Sequence, residues 1–271
     1  MQDRAANPYL GGDVRRSYHG MRGKRLMRLQ PAEGPADAAA TMVHETFRSM
    51  ALSETYPCVV ARSAMRRGDY RFGCYPRLGT EDAAAAVACD LWEFVAEFPI
   101  RPDRYASFVA AFDGPCTATE QGFEDLLWRQ LQLLHELDVR HSRWDAEVGT
   151  DPTEYGFSFS FAERAFFIVG MHPGASRWAR RTAWPTLIFN SHAQFDLLRD
   201  AGVMPRMQQT VRMRDRRVQG SENPSLRQFD AKRPETVMYS GRLVEDDWTC
   251  PFRPTDQATE SSTQQAEEGL V

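Results

Sequence analysis

What this sequence has little of narrows its possibilities first. Lysine is almost absent: Lys24 and Lys232 stand alone, and arginine supplies the rest of the 33 basic residues. Against 37 acidic residues the formal net charge is −4, too near neutrality for total charge to indicate a nucleic-acid partner. No run of about 18 apolar residues occurs, so no transmembrane helix and no membrane partner are expected. The first thirty residues are basic and lack the apolar core of a secretory signal, which leaves a cytoplasmic location by elimination. The five cysteines, Cys58, Cys74, Cys89, Cys116 and Cys250, are odd in number, widely spaced and without a CxxC pair. That argues against a disulfide framework or a zinc site. A glycine-rich phosphate loop, a dinucleotide fingerprint and a GxSxG elbow are all missing, so nucleotide and hydrolase chemistry start at a disadvantage.

What is present suits one globular domain: 271 residues, 42% hydrophobic and 26% charged. Residues 1–34 are polar and read as a flexible basic arm, 35–253 as the domain, and 254–271 as a disordered tail with almost nothing to bury. Apolar positions at helical spacing predict helices over 36–52, 81–98 and 119–139, the last behind Thr119 as a cap. The stretch 55–76, apolar runs around Arg-Arg-Gly-Asp, predicts a strand hairpin, and 105–112 a buried strand. GFSFSF (156–161) and AFFIVGM (165–171) predict paired strands, and 184–202 a strand passing into a helix that stops at glycine. RMRDRRVQGSENPSL (212–226) reads as a loop dense with donors. Strands and helices interleave without a regular period, so the fold class is α+β or mixed α/β.

Chemistry concentrates at FFIVGMHPGASRWARR (166–181), where an apolar run closes on His172, turns through Pro-Gly and shows Arg177, Arg180 and Arg181 within five residues. Three guanidinium groups there can hold carboxylate or phosphate oxygens bidentately, or they can form a solvated basic face. Of the other histidines, His192 sits at a similar strand-to-helix junction. His44 and His135 lie in predicted helices as core candidates, and His19 and His141 read as surface residues. No carboxylate set accompanies the His172 and His192 pair to make a metal motif. Cys250 precedes proline, a step that directs a sulfur away from regular structure, while Cys58 follows one; buried inert thiols are the ordinary reading of both.

The series YPCVVA, FEDLLWRQLQLLHELD, FSFSFAERAFFIVGMHPGASRWARR, PTLIFNSHAQFDLLR, RMRDRRVQGSENPSL, YSGR and WTCPF resembles the YqcI/YcgG family, in particular its heme-dependent branch of guanidine and L-arginine N-hydroxylases. The likeness covers roughly residues 40 to 253. It implies a heme b, noncovalent because no CxxCH motif exists, with dioxygen or hydrogen peroxide as oxidant. The implied reaction is hydroxylation of a terminal guanidine nitrogen of L-arginine to Nω-hydroxy-L-arginine. The resemblance further implies a place in antibiotic or other secondary-metabolite biosynthesis of the D-cycloserine kind. An unidentified electron donor would be a partner, and L-arginine or another guanidine compound the substrate.

Heme needs apolar walls, arginines at the rim and an axial ligand. Under the resemblance, His172 is the first candidate for the iron, with Cys250, His135, His192 and His44 as alternatives. Arg177, Arg180, Arg181 and His192 are candidates for holding the cofactor. Asp215, Glu163 and Gln219, with Glu45, Arg212 and Asn223 also available, are candidates for binding the substrate's guanidinium and carboxylate. A heme sensor or carrier without turnover, and a non-heme interaction protein, are the rival expectations.

Overall fold

Short apolar strands and alanine- or leucine-rich helices build one sheet covered on both faces. The computed structural model describes residues 6–117, 119–225 and 233–255. In chain order these give β1 (His19–Arg22), β2 (Arg25–Arg28), β3 (Gly34–Pro35), α1 (Ala38–Leu52), α2 (Val59–Arg67), β4 (Tyr70–Tyr75) and α3 (Glu81–Glu97). There follow β5 (Ser107–Phe112), α4 (Glu120–Asp138), β6 (Phe159–Phe161), β7 (Arg164–Met171), β8 (Thr186–Ser191), α5 (His192–Asp200) and α6 (Met204–Gln219). The strand order is β3-β2-β1-β4-β5-β8-β7-β6, parallel at β4–β5 and antiparallel at the other pairings. The fold is therefore mixed α/β in a single domain, as the interleaved pattern predicts.

Strand β5 is buried at all six positions, because both faces of the sheet are covered. Phe108, Ala110 and Phe112 enter the cluster under α3 and α4, while Val109 and Ala111 enter the cluster under α1 and α2. Each fully buried phenylalanine contributes about 1.5–3 kcal/mol of transfer free energy, which is why the strands need no polar alternation.

Three local expectations are corrected. The segment read as an arm supplies β1, β2 and β3, and its few large residues are anchored: Tyr9 donates to Asp138 at 2.6 Å and Tyr18 to Glu97 at 2.6 Å. Ser17 N and Tyr75 Oη both donate to buried Asp90, joining the segment to α3. Its polar composition hides these anchors, and its tight Gly23-Lys24 turn closes an antiparallel pair.

The expected hairpin at 55–76 is a helix followed by a strand. Cys58 caps α2, its sulfur accepting from Ala61 N, and Gly68 ends it at φ 72°, so the Arg-Arg-Gly read as a hairpin turn is a helix C-terminus. The expected loop at 212–226 is α6 as far as Gln219, where the single buried residue of the helix is Asp215; its apolar stripe, Met204, Met207, Val211 and Val218, lies mostly before that stretch, so the stretch by itself carried no helix signal. The pairing of β6 with β7 holds, through a two-residue turn at Ala162-Glu163. Of the expected tail, Pro254 and Thr255 pack beside His135, Thr255 N donating to its Nε2 at 2.9 Å, and 256–271 lie outside the described residues.

Candidate functional site

Strand β7 ends at Met171, and the next ten residues fold back between α4 and α6. The Pro173-Gly174 step reverses the chain, with Ala175 N donating to His172 O at 3.3 Å and His172 N to Arg180 O at 2.9 Å. Helix α6 then holds the turn. Gln219 Oε1 accepts from Trp178 N at 2.9 Å, its Nε2 donates to Ser176 O at 3.2 Å, and Glu120 on α4 accepts from Ser176 N at 2.8 Å. Gly170 lets β7 pass under α4 here: a Cβ would stand 2.8 Å from Tyr239 O and 2.7 Å from Leu127.

Each of the three arginines has a protein partner. Arg177 is ion-paired with Asp215 and donates to Ser221 Oγ at 3.0 Å and Ser221 O at 2.9 Å. Arg180 donates to the carbonyls of Gly170 at 2.8 Å and Met238 at 3.0 Å. Burial lowers the Arg180 guanidinium from its ordinary value, while Tyr56, Asp215 and Cys58 nearby pull the other way. Arg181 lies over the Trp178 ring at 4.3 Å and donates through Nε to Ala175 O, leaving its terminal nitrogens without a partner among the described residues.

His172 is 1% exposed, and its ring stacks on Phe123 with centroids 4.3 Å apart and planes 16° from parallel. Among the described residues it is the one histidine with a buried ring nitrogen, Nδ1, that has no hydrogen-bond partner. Burial lowers its pKa, with Glu120 opposing and Arg180 adding to the shift. The imidazole is therefore neutral at pH 7, the form that ligates a metal.

The remaining candidates are placed elsewhere. His44 is fully buried and hydrogen-bonded at both nitrogens, to Tyr70 Oη at 2.7 Å and Glu45 at 3.1 Å. His135 accepts from Thr255, and Cys250 is packed in the main apolar cluster with its thiol pushed up to about 12 by burial. Because Met171 pairs with Thr186 and Phe166 with Ser191, His172 and His192 leave the β7–β8 pair at opposite ends. The six paired strand residues 166–171 lie between them, a span of roughly 20 Å. Glu163, in the exposed turn before β7, stands at that same far end, so neither it nor His192 shares a site with His172. His192 instead faces Asp196 at 3.1 Å and Glu235 at 3.7 Å. Asn223 accepts from Ser225 N within its own turn.

Two residues that sequence reading did not assign to a site belong to the His172 neighbourhood. Tyr56 and Cys58, at the entry to α2, interact electrostatically with Arg180. Burial pushes the Cys58 thiol up, against the opposing helix N–H groups and Arg180. The signal available was the Tyr-Pro-Cys step ahead of an amphipathic run, which also looks like the start of a strand.

The arrangement defines a class: a mixed α/β protein, covered on both faces, whose candidate site is a strand-end turn held by α4 and α6. More particularly, the chain belongs to the YqcI/YcgG family, whose model matches residues 47–253. No curated protein and no solved structure matches it significantly.

The heme that the resemblance implies can be tested against these side chains. In kind they suit it: a neutral imidazole with an unpartnered nitrogen, an aromatic wall and nearby guanidinium groups. In room they do not. Phe123 covers one face of the ring, Arg177 and Arg180 are engaged by protein acceptors, and neither of the cavities of about 220 and 300 Å³ found elsewhere among the described residues is lined by His172. Pockets for drug-sized ligands run to roughly 1,000 Å³, and a porphyrin belongs in the upper part of that range. A heme does not fit between these side chains as they stand. Among the described residues no three His, Cys, Asp or Glu side chains converge to hold a metal ion, and no helix is long and apolar enough to cross a membrane.

Proposed function

We propose that this chain is a heme-dependent oxygenase that hydroxylates a terminal guanidine nitrogen of L-arginine, giving Nω-hydroxy-L-arginine, in antibiotic or other secondary-metabolite biosynthesis. Family membership over 47–253 and the likeness of the quoted motifs support it. The observation in the fold that carries it is the buried Nδ1 of His172, a costly feature with no hydrogen-bond partner among the described residues. Loading a heme on this reading requires the stack of His172 on Phe123 to part. Asp215, held on α6 beside the turn, is the acid for a substrate guanidinium, and reaching it would mean competing with Arg177. The overall change adds one oxygen atom to a nitrogen. Hydrogen peroxide supplies it with water as co-product, whereas dioxygen needs two electrons and two protons from a donor and also releases one water.

The test begins with the absorption spectrum of the purified chain, expected to carry about one extractable heme b per chain. The ferrous–CO band then tells imidazole from thiolate ligation, and hence His172 from Cys58 or Cys250. Incubation with L-arginine and either oxidant should yield a product one oxygen heavier. A colourless chain after expression with added heme precursor overturns the reading. A heme-bound chain that returns every guanidine compound unchanged is a carrier or sensor.

A further inference from the structure

On the α1 face of the sheet a cavity of about 220 Å³ opens beyond the C-terminal end of β5, the strand that closes the parallel β4–β5 pair. Its wall is one stripe of α1, Val43, Phe47 and Met50, at the three- and four-residue steps that share a helix face. Its floor is the cross-strand pair Ala111 and Thr186, where a small residue leaves the room. Three threonine hydroxyls line it, and all three donate inward to backbone carbonyls: Thr46 to Met42, and Thr182 and Thr186 both to Trp184. The terminal N–H groups of Arg181 stand at the rim as cationic donors without a partner among the described residues, the guanidinium carbon 4.3 Å from the centre of the Trp178 ring. Among the described residues no acidic side chain lines the cavity.

We propose that this cavity is a binding site for a small apolar monocarboxylate, an aliphatic or aromatic acid whose hydrocarbon body lies against Val43, Phe47 and Met50 and whose carboxylate meets Arg181. The chemistry excludes the alternatives. Free L-arginine would bring a guanidinium to a site with no acid to receive it, and a phosphate would leave the apolar wall uncovered. The volume, below that of drug-sized pockets, sets the limit at a short chain or a single ring. The cavity shares Arg181 with the His172 turn but is lined by neither His172 nor Asp215, and it is tested without any activity measurement.

The experiment titrates the full chain with hexanoate, with hexanol and with inorganic phosphate, by calorimetry and by the fluorescence change from Trp178 and Trp184. Hexanoate should bind at least about 10-fold more tightly than hexanol, the cost of losing one charge-assisted pair. Arg181→Gln should abolish that preference and leave hexanol binding unchanged. Ala183→Phe, at an exposed rim position where folding is not at stake, should block both ligands. Equal binding of hexanoate and hexanol, competition by phosphate at the same concentration as hexanoate, or hexanoate binding indifferent to both substitutions overturns the proposal.

Discussion

The imidazole of His172 lies flat on the ring of Phe123 while its Nδ1 is buried without a partner. A buried polar atom left unpaired costs about 1–3 kcal/mol, so an apolar ring of similar shape should be tolerated better. His172→Phe is expected to raise the urea midpoint, by about 1 kcal/mol in unfolding free energy, and to abolish heme uptake as read at the Soret band. A fall in stability would mean that the nitrogen has a structural partner.

Arg177 and Asp215 are 8% and 9% exposed, so their pairing is a buried ion pair. Asp215→Asn leaves a buried cation with neutral acceptors alone, and should destabilise the chain by about 3 kcal/mol. Adding Arg177→Met to that variant should restore much of the loss, which urea unfolding of the four-member double-mutant cycle will show. Strict additivity would place the two side chains out of contact in solution.

Burial pushes the Glu235 carboxyl up to about 7, with His192, Ser158 and Tyr239 opposing. The folded state then holds its proton more tightly than the unfolded chain, whose carboxyl titrates near ~4.3. The stabilisation is complete below that lower value and is lost as pH rises through about 7, a decline of up to roughly 4 kcal/mol. Glu235→Gln, which still accepts from Ser158 and Tyr239, should flatten the decline when urea midpoints are compared at pH 5 and pH 8.

Ala162 and Glu163 turn the β6–β7 hairpin at φ 52° and 57°, where side chains with a Cβ are strained. Replacing them by Asn-Gly should stabilise the chain by about 1 kcal/mol, measured as a higher thermal midpoint. No gain would mean that the neighbouring contact of Ala162 N with Asp138 depends on the native side chains.

The periodic and apolar stretches were legible without a structure. Helices α1, α3 and α4, the β6–β7 pair and the passage of β8 into α5 each bury a contiguous face, and burial of a regular element leaves a regular spacing in the chain. The His172 turn was legible for a similar reason, because an apolar strand that stops at His-Pro-Gly before three arginines has both a direction and a change of chemistry. Its arginines were legible as residues but not in their engagements, since the acceptors, Asp215, Ser221 and the carbonyls of Gly170 and Met238, lie up to 58 residues away.

What only the tertiary structure decided follows from the same physics. The first 34 residues join the sheet through a few anchors, Tyr9, Tyr18 and Leu26, too sparse to make a pattern. Helices α2 and α6 carry little apolar surface, so their existence rests on caps and on what packs against them. Strand register assigned the histidines. Since Met171 faces Thr186 and Phe166 faces Ser191, His172 and His192 were sent to opposite ends of one strand pair, a separation that spacing along the chain does not encode.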